Sequence, residues 1–105
     1  MATNRLDILK QLVTQDPNNS FARYGLAMEY AKGGQYQEAV EEFRVLIQHD
    51  DSYSAAYYHG GQALENLGRI EEARSMYEKG IEASTRKGDL HTRSEIEAAL
   101  SLLPI

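Results

Sequence analysis

The chain has 105 residues, 42% of them hydrophobic, which suits one globular domain with a buried core. Its formal charge is −5 and its 11 basic residues are scattered, so it lacks the basic surface that displaces phosphate counterions, and nucleic acid is not an expected partner. The absence of cysteine excludes disulfides and thiolate metal sites, and no apolar run approaches the roughly 18 residues of a membrane span.

The opening stretch, MATNRLDILKQLVTQD, carries Arg5, Asp7 and Lys10 inside its apolar run, unlike a signal peptide, and a cytoplasmic protein is expected. Leu6, Leu9, Leu12 and Val13 form the apolar stripe of a first helix, ended by Asp16-Pro17-Asn18-Asn19. Asn19 or Ser20 can cap a second helix over Phe21 to Lys32, with Ala27, Tyr30 and Ala31 at core spacing and Gly33-Gly34 as its stop. A third helix spans Gln35 to His49 with Tyr36, Ala39, Val40, Phe43, Leu46 and Ile47 on one face, and Asp50, Asp51 and Ser52 supply the next turn and cap. The fourth covers Tyr53 to Asn66 and ends at Gly68. The fifth runs from Arg69 to Thr85, with Ile70, Ala73, Tyr77 and Ile81 inward, and Lys87-Gly88 closes it. A last helix holds Ile96, Ala99, Leu100 and Leu103, and both Thr92…Glu95 and Ser94…Glu97 fit a capping box at its start. The expected fold is all-α, about six helices with no strand.

The chain repeats itself. GQYQEAVEEF (34–43) returns as GRIEEARSMY (68–77), and the same shift aligns Tyr24 with Tyr58, Ala27 with Gly61, Ala39 with Ala73 and Phe43 with Tyr77. Self-similarity at a period of about 20–50 residues is the mark of a solenoid of small units that stack to bury a shared core. Ser20 to Tyr53 is one unit and Ser54 to Lys87 the next. The small residues admit close helix approach, Tyr30 and Phe43/Tyr77 fill space between units, and Gly34/Gly68 make the turns.

This pattern resembles the tetratricopeptide repeat (TPR) family, whose 34-residue unit is a pair of antiparallel helices, and the compact form is similar to small stand-alone bacterial members. Departures are Arg23 where an aromatic is usual, Gly60 for Leu, Leu64 for Tyr and Leu46 for a small residue. The resemblance implies a single domain over 1–105, built as a half-repeat helix (5–19), two units (20–53 and 54–87) and a capping helix (88–105), which reads as a complete small array. It also implies a right-handed solenoid whose first helices line a concave groove for a peptide or protein segment.

Carried over residue by residue, the groove positions include Phe21, Tyr24, Gly25, Met28 and Lys32, then Ala55, Tyr58, His59, Gln62 and Glu65. Phe21, Tyr24, Met28, Tyr58, His59 and Gln62, together with Arg93, are the expected contact residues, since exposed aromatics and Met in a concavity suit recognition. A subclass of the family holds acidic chaperone tails through a clamp of Lys, Asn, Asn, Lys and Arg. The corresponding places here are Tyr24, Met28, His59, Asp89 and Arg93, of which only Arg93 fits, so an apolar or mixed peptide is expected instead. Gly60 raises a further question, whether the missing side chain opens a notch for a ligand or is filled by a neighbour such as Tyr30 or Tyr57.

Catalysis is not expected. His49, His59 and His91 lie on different elements without metal-ligand spacing, and neither a nucleophile elbow nor a phosphate loop occurs, so no catalytic residue, metal or cofactor is assigned. Glu38, Glu41, Glu42, Glu71 and Glu72 read as a solvated outer face. The alternative to peptide binding is homo-oligomeric self-association through the groove or an end helix.

Overall fold

A computed structural model describes residues 4–105; residues 1–3, the start of the expected 1–105 domain, lie outside it. Six helices follow in order: α1 (Arg5–Gln15), α2 (Ser20–Lys32), α3 (Tyr36–His49), α4 (Ser54–Asn66), α5 (Ile70–Lys87) and α6 (Leu90–Ser101). Each packs on the next, and α4 also touches α2 and α6, giving an all-α solenoid of 47 × 28 × 19 Å. None of these helices is long and apolar enough to cross a membrane.

The helix ends show which local signals won. Asn4 and Asn19 cap α1 and α2 with their side chains, accepting from the Asp7 and Ala22 N–H groups at 2.9 and 3.0 Å. Gly34 and Gly68, at φ 79° and 75°, turn the chain between the helices of each unit, a conformation that glycine enters without a Cβ penalty. The expected Asp50–Ser52 cap does not form: Asp50 Oδ1 accepts from Ser52 Oγ at 2.8 Å and shapes the turn, while Tyr53 stands at the cap position without a side-chain bond. Both capping boxes proposed for the last helix are also superseded. α5 runs on to Lys87, and Asp89 caps α6 by accepting from the Thr92 N–H at 3.2 Å.

Asp89→Ala is therefore expected to cost about 1 kcal/mol at neutral pH. Hydrogen bonds from Thr92, first its side chain and then its backbone, hold the Asp89 carboxyl below the usual carboxylate range. A depressed folded-state pKa contributes stability above the unfolded value and loses it as pH falls through the folded one, and solvent beside Asp89 keeps the effect small. Urea titrations should show the parent and the variant converging below about pH 4; an equal gap at neutral and acid pH would contradict this assignment.

The core runs between the helices as the repeat demands. Ala27, Ala39, Val40, Phe43, Leu46, Leu64, Ala73 and Tyr77 are fully buried. Two of the departures from the expected pattern have physical reasons. A Cβ at Gly60 would meet Phe43 Cβ at 3.4 Å and Met76 Cε at 3.5 Å. The place is thus filled, by Phe43 and Met76 rather than Tyr30 or Tyr57, and opens no notch. Arg23, in the aromatic place, donates to the Pro17 carbonyl at 3.1 Å and to Glu42 at 2.5 Å. In the second unit the Tyr57 hydroxyl donates to the Asp51 carbonyl, the equivalent of Pro17, at 2.7 Å. Two different side chains perform one tether.

Candidate functional site

The first helices of the units form one face of the solenoid, and between α1, α2 and α4 lies a groove of about 920 Å³. Five of the expected contact residues line it together: Phe21, Tyr24, Met28, His59 and Gln62. Phe21 is 80% exposed although it is large and apolar, the rest being partly buried. Tyr24 is the hub of an aromatic cluster, its ring centroid 5.2 Å from Tyr53, 6.0 Å from His59 and 6.2 Å from Phe43. Tyr24 and His59 thus serve both packing and groove surface. Burial pushes the Tyr24 hydroxyl pKa up and the His59 imidazole down, with Gln62 and Glu95 opposing the latter, so the groove wall favours neutral rings.

Tyr58 falls in a neighbouring cleft between α4 and α6, lined also by Gln62, Glu65, Glu95, Ala98 and Leu102. Gln62 borders both, so the two adjoin. Arg93 lines neither; its Nε lies 3.6 Å from Glu97. The cause is a slip in the period. The cap of α4, Tyr53, follows that of α2, Asn19, at the 34-residue interval, but Asp89 follows Tyr53 two residues late. With that slip Ile96, fully buried, takes the core place of Leu26 and Gly60, and Arg93 takes the tethering place of Arg23 and Tyr57. The groove place of Gly25 and His59 passes to Glu95.

The groove also has a wall that sequence reasoning assigned to the core. Leu9 and Leu12 of α1 line it, and Leu12, expected in the buried stripe, is 44% exposed. A stripe of four apolar residues on a helix packed against one neighbour is wider than that contact, and the excess was its signal. Arg5, its Nε 3.1 Å from Glu29, borders the groove on this side, as does Lys32. The three histidines sit on α3, α4 and α6, and among the described residues no three His, Asp or Glu side chains gather where they could hold a metal ion.

A stack of helix pairs with a concave apolar and aromatic face defines a helical-repeat scaffold. The family model described as tetratricopeptide repeat matches residues 1–79, and the chain belongs to that family. It is similar to a TPR repeat-containing protein of Pseudomonas aeruginosa, 26% identical over 95 residues that cover 90% of each chain. It is also similar to the solution structure of a Bordetella parapertussis protein, with TM-score 0.82 and 26% identity over 95% of this chain and 87% of that one. A further likeness is to the second TPR domain of human RPAP3 in complex with the HSP70 peptide SGPTIEEVD. There the TM-score is 0.72 and the identity 27%, over 88% of this chain and 78% of that one.

Proposed function

We propose that the chain is a non-catalytic interaction module that binds a peptide or protein segment in the groove formed by α1, α2 and α4. The two units, 20–53 and 54–87, act as one array with the flanking helices. The observation that carries this reading is Phe21: a large apolar side chain 80% exposed at the mouth of a groove of about 920 Å³ walled by Leu9, Leu12 and Met28. Exposed apolar surface gathered in a concavity is characteristic of recognition sites. The peptide held by the human TPR domain supports it by analogy of fold. The groove lacks the clamp for an acidic tail, with Tyr24, Met28 and His59 in three of its places, and an apolar or mixed segment suits the walls better.

The test is selection of phage-displayed random dodecapeptides on the immobilised chain, followed by anisotropy measurements on a synthetic consensus peptide. Phe21→Ser should weaken that peptide about ten-fold, in keeping with loss of one apolar anchor, and leave the thermal midpoint unchanged. Phe21 is the better probe than Tyr24, whose truncation would also empty the aromatic cluster. A selection without enrichment, or full binding by Phe21→Ser, would remove the groove reading.

A further inference from the structure

The charges on the concave face are sorted from one end to the other. At the α1–α2 end, Arg5 and Glu29 neutralise each other at 3.1 Å and Lys32 lies at the rim. At the α4–α6 end two carboxylates, Glu65 and Glu95, border a cleft whose other walls are Tyr58, Gln62, Ala98 and Leu102. Glu65 is held in place, its Oε2 accepting from the buried Tyr77 hydroxyl. Glu95 reaches the groove only because the period slips by two residues and moves Arg93 off that face. A cationic residue expected there from the repeat pattern is replaced by an anionic one.

We infer that the groove selects a segment carrying a Lys or Arg next to apolar residues, with the basic side chain seated between Glu65, Glu95 and the Tyr58 ring and the apolar ones against Phe21, Met28 and Leu12. This rests on the groove reading proposed above and adds the charge of the occupant. The chemistry matches each wall. Ala98 and Leu102 suit the aliphatic stem of Lys or Arg, the tyrosine ring face attracts the cation, and the carboxylates pair with it. An acidic segment would bring like charge to both carboxylates, and the chain as a whole, at −5, repels it too.

The same dodecapeptide selection tests this, run on the parent, Glu65→Gln, Glu95→Lys and, as a control of equal charge change on the outer face, Glu41→Lys. Gln at 65 keeps an acceptor for Tyr77, and positions 41 and 95 are exposed, so these variants should fold. Peptides enriched on the parent and on Glu41→Lys should combine Lys or Arg with apolar residues, and those on Glu95→Lys should turn acidic. A basic consensus peptide should lose about five-fold in affinity for each of Glu65 and Glu95 removed, and should weaken with salt. Purely apolar peptides that depend on Phe21 would overturn the inference and leave the groove reading intact. Acidic peptides on the parent, or a basic preference that Glu95→Lys does not alter, would overturn it as well. No enrichment at all would overturn both.

Discussion

Gly61→Ala is expected to destabilise the chain by about 2–3 kcal/mol, although alanine is the better helix former by about 1 kcal/mol. A Cβ at Gly61 would stand 2.1 Å from Tyr77 Cε1 and 2.6 Å from two further ring atoms. The ring has nowhere to go, being fully buried and tied through its hydroxyl to Glu65. The 34-residue shift aligns Ala27 with Gly61 and Phe43 with Tyr77, so the unit with the larger ring carries the smaller residue. Tyr77→Phe releases the ring from Glu65, so the double variant should be more stable than the sum of the two single losses predicts. A double-mutant cycle by urea denaturation measures that coupling. Gly60→Ala, one residue earlier, is the control. Its new methyl meets Phe43 and Met76 at ordinary contact distance, and the helix gain should leave it neutral or up to about 1 kcal/mol more stable. Equal behaviour of the two glycine variants would refute the packing account.

Phe43→Ala is expected to cost about 4 kcal/mol, the usual loss for emptying an aromatic from a core, and to lower Tm by roughly 15–25 °C. Phe43 is wholly buried where the two units meet. Its ring lies 6.2 Å from Tyr24 and stacks on His59 at 6.4 Å, and its Cβ sits beneath Gly60. The loss should reach the groove, because Tyr24 and His59 rest on this ring. Phe43→Leu should restore most of the stability but less of the binding, since a branched aliphatic fills volume without supporting the aromatic cluster. Calorimetry together with anisotropy on the selected peptide separates the two effects.

Local chemistry settled most of the architecture. Helical periodicity, the turn residues at Pro17, Gly34, Gly68 and Gly88, and the 34-residue echo of GQYQEAVEEF were enough to place six helices and two stacked units. Such signals are short-range, each written in one or two turns of helix, and a repeat multiplies them. They also picked out Phe21, Tyr24, Met28, His59 and Gln62, which share one groove because the repeat places equivalent residues on the same face.

What needed the tertiary structure were matters of register and competition between partners. A pattern cannot say which acceptor caps a helix when Asp89, Thr92 and Ser94 all qualify. The helix that starts from the Asp89 cap buries Ile96 beside Gly80. The resulting two-residue slip takes Arg93 out of the groove and brings Glu95 in, reversing the charge at that end. Nor could one chain position show that Leu12 faces the groove or that Phe43 and Met76 close the space over Gly60. The sequence alone determined a repeat scaffold with an aromatic face. The spatial partners of its last helix decided which charge that face presents.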